Sequence, residues 1–234
     1  MSLTNLLHEL CEFDTALIAN TIGYIDPTPP HEVYMGGSIQ SVTPSLGPTV
    51  GVAVTCELDS STPHNQATPE PYLRQLDQIC QIAEPVIWVV KTVGTRPDHE
   101  CVLGDGMAKT LAAAGCIGAV TDGGVRDVAG LLSIPFAAYC KGRTIHHCAL
   151  NYGRINQPIE VGGITIRTGD VLHANDEGVI RIPSACLEQL PAMAIRMRSF
   201  EQDAHRFMRQ TDLSPRAKRD KVSELLVEYG FGPR

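Results

Sequence analysis

The sequence is short of aromatics, of basic charge and of long apolar runs, and each shortage excludes something. Phe, Trp and Tyr make up 5% of the 234 residues, with a single Trp, which favours tightly packed α/β layers over an aromatic-rich sandwich. Lys and Arg number 19 against 26 Asp and Glu, a formal net charge of −7. A field of that sign repels a phosphate backbone, so nucleic acid is not expected as a partner. No apolar run approaches the ~20 residues that span a bilayer, and no Lys or Arg precedes an apolar core near the N-terminus. Neither a membrane span nor a signal peptide is expected. The eight cysteines are scattered without a CxxC pair, the pattern of reduced thiols in a cytoplasmic protein.

What is present is an ordinary soluble composition, 43% apolar and 19% charged, with one domain as the default. Apolar residues recur at helical spacing from Leu3 to Ile22, an N-terminal helical region ended by Gly23 and the prolines after it. Val50 to Cys56 reads as a strand, Tyr72 to Ala83 as a helix, and Val86 to Val90 as a strand buried on both faces, which favours parallel pairing. Asp105 opens an Ala/Leu helix that Gly115 terminates, Ile117 to Thr121 is the next strand, and Phe136 to Tyr139 a third. Strand, helix, strand implies a right-handed βαβ unit. Short strands over 159–161, 164–166, 171–172 and 179–182, split by Gly-rich turns, suggest hairpins. From Ser184 the chain is helical in pattern with a break at Pro215, predicting two helices that pack on the body or on a partner subunit.

Open α/β sheets bind ligands beyond the carboxyl ends of their strands. Asp105 follows the strand ending near Val90, and Arg126 and Asp127 follow the one ending at Thr121, so neighbouring strands would bring all three to one crevice. The backbone from Gly104 to Met107 offers unpaired N–H groups at a helix N-terminus, suited to a carboxylate or phosphate, and Gly104 and Gly106 let a ligand come close. Plainer roles exist for each residue: Asp105 as a helix cap, Asp127 as a cap for Val128 to Leu132, Asp122-Gly123 as turn chemistry. An anion nest, a forked guanidinium and carboxylates at strand ends together outweigh them. Elsewhere, Lys109-Thr110 lacks the glycine spacing of a P-loop. His146-His147-Cys148 has metal-ligand side chains, but neighbours on a strand point to opposite faces, and no second cluster completes a site. His64 and His173 stand alone, and no GxSxG is present.

Asp105, twenty residues, then Arg126-Asp127, within Gly104-Asp105 … Gly115 … Gly118 … Asp122-Gly123-Gly124-Val125-Arg126-Asp127, resembles the RraA-like family. That family holds the class II 4-hydroxy-4-methyl-2-oxoglutarate / 4-carboxy-4-hydroxy-2-oxoadipate aldolases and the regulator of ribonuclease activity A. Gly162-Gly163 … Thr168-Gly169-Asp170 and Ala174 to Val179 resemble its second signature, in which Pro is commoner than Thr168. The likeness covers residues 40 to 185, with helical additions over 186–234. It implies an α/β core of the swivelling β/β/α type, assembled as a homotrimer or homohexamer with sites between subunits. It implies Mg2+ or Mn2+ held by Asp127 and waters, a hard-cation pattern. Arg126 would grip a 2-oxo acid, the Gly104 to Met107 amides its carboxylate, and Asp105 would orient a water that shuttles a proton. The implied activity is a metal-dependent lyase releasing pyruvate from a 4-hydroxy-2-oxo dicarboxylate, with oxaloacetate decarboxylation through the same enolate. Lys91 and Lys109 are expected to be solvated or structural, and Glu201 of a neighbouring subunit is a candidate assistant. The alternative is a non-catalytic, protein-binding regulator of a ribonuclease.

Overall fold

Two short helices, α1 (Leu3–Leu10) and α2 (Thr15–Ile22), open the computed structural model, which describes residues 2–147 and 149–232. The helical region is broken between them because the Asp14 carboxylate accepts the Leu17 N–H at 2.7 Å and starts a second helix. Next come β1 (Gln40–Ser41), β2 (Thr49–Asp59), α3 (Pro69–Ile79) and β3 (Val86–Thr92). The α3 helix starts and stops earlier than the Tyr72 to Ala83 pattern predicts. Pro69 sits in its first turn, and three-residue turns (Gln81 N–H to Gln78, Ile82 N–H to Ile79) unwind the chain before Pro85.

The middle of the chain runs β4 (Cys101–Leu103), α4 (Asp105–Ala114), β5 (Cys116–Thr121), β6 (Gly124–Val125), α5 (Val128–Ser133), β7 (Ala137–Cys140) and β8 (Gly142–Arg143). Gly115 ends α4 at φ 116°, a left-handed cap. Then follow β9 (Asn151–Ile155), the hairpin β10 (Ile159–Val161) with β11 (Ile164–Ile166), and the hairpin β12 (Val171–Asn175) with β13 (Gly178–Ile182). Helices α6 (Leu190–Met208) and α7 (Pro215–Glu228) close the described chain, divided at Pro215 as the sequence predicts.

The main sheet has the order β1-β7-β5-β3-β2-β12-β13, and β9 pairs with the far half of β2. That second partner explains why β2 runs past Cys56 to Asp59. Strands β2, β3, β5 and β7 are parallel. Their side chains alternate between two cores: Val52, Val54, Trp88 and Val90 pack with α1, α2 and α6, whereas Ala53, Ile87 and Val89 pack with the β10–β11 hairpin. Hairpin, sheet and helices therefore stack in the β/β/α order that the family resemblance implies. Thr168, in the turn before β12, accepts the Thr55 N–H at 3.1 Å, tying that turn to β2.

Strands β4, β6 and β8 form a separate, all-parallel sheet that the sequence does not announce, since each has only two or three residues. The C-terminal helices pack on the body. Ala194, Met197, Phe200 and Ala204 of α6 are buried in the core shared with α1 and α2. No described helix is long and apolar enough to cross a membrane. The seven described cysteines are free; Cys148 lies outside the described residues. Burial pushes Cys56 and Cys116 up to about 12, so neither supplies a thiolate.

Candidate active site

The small sheet, rather than the main one, brings the predicted residues together. Asp105 follows β4, not the strand ending near Val90, and Arg126 follows β6, not the strand ending at Thr121. After β3 the chain makes a further excursion through Pro97–His99 and lays β4 beside β6. The Arg126 N–H donates to the Leu103 carbonyl at 2.9 Å, which sets Gly104-Asp105 next to Arg126-Asp127.

Gly104 is the helix cap residue, and Asp105 is the first residue of α4 and makes no cap bond. This corrects the expectation that Asp105 caps the helix. Its carboxylate reaches forward one turn to Lys109 Nζ at 2.6 Å. That hydrogen bond holds the Asp105 carboxyl below the usual carboxylate range, with Arg126 adding a smaller pull. A Cβ on Gly104 would stand 2.9 Å from both Arg126 Nε and Asp127 Oδ2, and one on Gly130 of α5 would collide with Asp105 Cβ. Each glycine marks a place where two segments of the candidate site touch. Gly106 has open space over it.

Asp127 occupies the left-handed region at φ 55°, which a short polar side chain tolerates. Its carbonyl accepts the Gly130 and Leu131 N–H groups at 2.8 and 3.2 Å, while its side chain makes no cap bond, so the plain capping role does not apply. Asp127 Oδ2 lies 3.4 Å from Arg126 Nε, and the two side chains are 46% and 32% exposed, open enough to meet a ligand.

A cavity of about 300 Å³ is bounded by Leu103 to Met107, Arg126, His146, His147 and Leu150. The sequence pattern sets the two histidines aside because strand neighbours face apart. Residues 144–147 are not a strand, and both histidines line the cavity. No sequence pattern signals that irregular backbone. Met107 also receives the Tyr152 hydroxyl at 3.8 Å, fixing the first turn of α4 against β9.

Other singled-out residues lie elsewhere. Lys91 is ion-paired to buried Asp122, whose Oδ1 accepts the Thr92 N–H and hydroxyl at 2.8 and 2.9 Å. Both are structural, and Asp122 does more than form a turn. Glu201 accepts from Asn20 Nδ2 of its own chain at 3.0 Å, in a depression separate from the cavity. His173 is fully buried between Thr15 and the Leu10 carbonyl, and burial lowers its pKa to about 4, so it is a neutral core group.

Among the described residues no group of three His, Cys, Asp or Glu side chains is placed to hold a metal ion. A zinc-type cage is therefore not offered there. A hard cation that takes one carboxylate and completes its shell with water has different needs. Asp127, half-exposed, uncommitted to a helix cap and beside the cavity glycine Gly104, fits them.

Residues 29–181 match the model of the RraA-like family, Aldolase/RraA. The chain belongs to the RraA-like family. One relative, a protein of Halalkalibacterium halodurans provisionally named 4-hydroxy-4-methyl-2-oxoglutarate aldolase, is 33% identical over 118 residues, 50% of this chain and 55% of that protein. A Shewanella oneidensis protein with the same provisional name is 31% identical over 87 residues, 37% of this chain and 53% of that one. The chain thus spans about half the length of the curated relatives it matches. Among solved structures, Streptomyces coelicolor RraAS2, described as an unusual member of the RNase ES inhibitor RraA protein family, superposes with a TM-score of 0.68 at 19% identity, covering 86% of this chain and 96% of that one. At that identity the likeness speaks for the RraA-like fold alone. The site of this RraA-like protein lies inside the matched region, while α6 and α7 lie beyond it.

Proposed function

We propose that this RraA-like protein is a divalent-metal-dependent carbon–carbon lyase that releases pyruvate from a 4-hydroxy-2-oxo dicarboxylate such as 4-hydroxy-4-methyl-2-oxoglutarate, and decarboxylates oxaloacetate as a side reaction. The observation that carries this reading is the convergence of Arg126, Asp105 and the amino end of α4 on one cavity wall. The provisional aldolase names of two relatives support it.

Arg126 presents a planar fork of donors to the 2-oxo acid, and the N–H groups of the first α4 turn face the carboxylate across the open space at Gly106. As water takes the 4-hydroxyl proton, the O–H electron pair forms the new carbonyl at C4, the C3–C4 bond breaks, and the pair of that bond moves toward the 2-oxo group, where Arg126 stabilises the charge that develops on the oxygen. Asp105, kept ionised by Lys109, accepts hydrogen bonds and so orients a proton donor toward C3 without being a strong base itself. Asp127 would hold a Mg2+ or Mn2+ ion, which when bound supplies Lewis-acid polarisation of the keto oxygen. The reading includes a homotrimer or homohexamer.

The test couples pyruvate formation from oxaloacetate and from 4-hydroxy-4-methyl-2-oxoglutarate to lactate dehydrogenase, with Mg2+ and with EDTA. Metal-dependent pyruvate is expected, with Arg126→Ala slower by roughly 100-fold or more. No pyruvate from either substrate, or full activity in Arg126→Ala, would overturn the assignment. It would then favour the protein-binding regulator.

A further inference from the structure

Beside the Arg126 cavity lies a second one of about 380 Å³, lined by Ser61, Pro63, Arg96, His99, Ile145 and His146. His146 lines both, so the two cavities adjoin at this residue. The second lining holds one guanidinium and two imidazoles and no acid. Arg96 forms no ion pair among the described residues, although the chain is acidic overall.

The placement of Arg96 is built rather than incidental. Its backbone N–H donates to Ser61 Oγ at 2.9 Å, and Ser61 Oγ donates in turn to Glu100 Oε1 at 2.7 Å. Glu100 is fully buried and also takes the Ser60 N–H at 3.2 Å. The Thr95 N–H reaches Thr62 Oγ1 at 3.3 Å, and the His99 N–H closes a turn onto the Arg96 carbonyl at 2.9 Å. A buried carboxylate thus staples the segment after β2 to the segment after β3, and Arg96 and His99 stand on the resulting rim.

We propose that Arg96, with His99 and His146, forms a second anion subsite that takes the distal carboxylate of a dicarboxylate whose 2-oxo acid end lies against Arg126. This deepens the lyase reading and rests on it for the orientation of the substrate. A guanidinium without an ion-pair partner, lining a cavity that adjoins the Arg126 cavity at His146, is suited to a carboxylate, and its fork favours bidentate pairing. The subsite selects for a second negative charge and is indifferent to whether the substrate is later cleaved.

Calorimetric titration in Mg2+ with two probes tests it: 2-oxoglutarate, which carries the distal carboxylate, and 2-oxopentanoate, which ends in a methyl group. Wild type is expected to bind 2-oxoglutarate roughly tenfold tighter or more, and Arg96→Gln to lose most of that preference. Absence of the preference in wild type, or its survival in Arg96→Gln, overturns the proposal. Pyruvate release from oxaloacetate by wild type reports on the lyase reading separately. Pyruvate with an unchanged preference in Arg96→Gln removes the subsite alone. A lost preference without any pyruvate keeps the subsite and removes the lyase.

Discussion

The Arg126 N–H donates to the carbonyl of Leu103 at 2.9 Å, and on that bond the candidate site turns. It joins two very short strands, β4 and β6, in parallel, so the residues that follow each strand leave side by side. Arg126 and Asp127 then lie over Gly104, and Asp105 lies over Gly130.

Gly104→Ala separates packing from backbone effects. Gly104 has φ −126° and ψ 176°, extended backbone that alanine adopts freely, so its methyl acts only by displacing Arg126 Nε and Asp127 Oδ2. Pyruvate formation should fall roughly tenfold or more with little change in denaturation midpoint. The control is Gly106→Ala, whose added methyl meets nothing within 4 Å in the protein, so any loss there reports crowding of the ligand.

Lys109→Met removes the partner that holds the Asp105 carboxyl low. A carboxylate whose pKa is depressed stays ionised further into acid, and activity that needs it ionised is lost as pH falls through that value. Without Lys109 the pKa rises toward its ordinary value, so the acid limb of the kcat/KM profile should move to higher pH. An unmoved limb in a pH series would detach Asp105 from the reaction.

Lys91→Met should destabilise the fold, because Asp122 is 7% exposed and would keep a buried charge without its counter-ion. With Lys91 itself 35% exposed, the cost is put at about 2 kcal/mol, below the range for fully buried pairs. Urea denaturation measures it. The double variant Lys91→Met/Asp122→Asn should regain part of the loss.

Glu100→Gln addresses pH. Burial raises the Glu100 carboxyl above its ordinary range, with the Ser61 and Ser60 hydrogen bonds opposing and Asp59 adding to the rise. Its Oε2 is buried without a partner among the described residues. A carboxyl whose folded pKa lies above its unfolded one binds more protons when folded, so its contribution to stability is lost as pH rises through the window between them. Glutamine keeps the acceptor for Ser60 and Ser61 and cannot ionise. Denaturation curves should show less loss of stability above the carboxylate range, and a gain of about 1 kcal/mol near neutrality.

The parallel core was legible because Val86 to Val90 of β3 is an unbroken apolar run that needs two buried faces, and the structure supplies helices on one and the β10–β11 hairpin on the other. Gly115 and Pro215 marked helix boundaries through backbone chemistry that acts locally. The spacing of Asp105, Arg126 and Asp127 was likewise visible as a pattern. Their meeting point was not, since β4 and β6 are too short to show periodicity and are strands only through their pairing in the β4-β6-β8 sheet. His146 and His147 were hidden for a similar reason, an irregular segment having no face to predict.

The order of residues along the chain was thus enough for everything whose information is local: apolar periodicity, helix ends, turn glycines, and the residue types available for chemistry. Which of those residues share a cavity was settled only by folding. Contacts between segments far apart in the chain depend on pairing and packing, and the two-residue strand that leads into Arg126 acquires its place from β4 and β8 on either side of it.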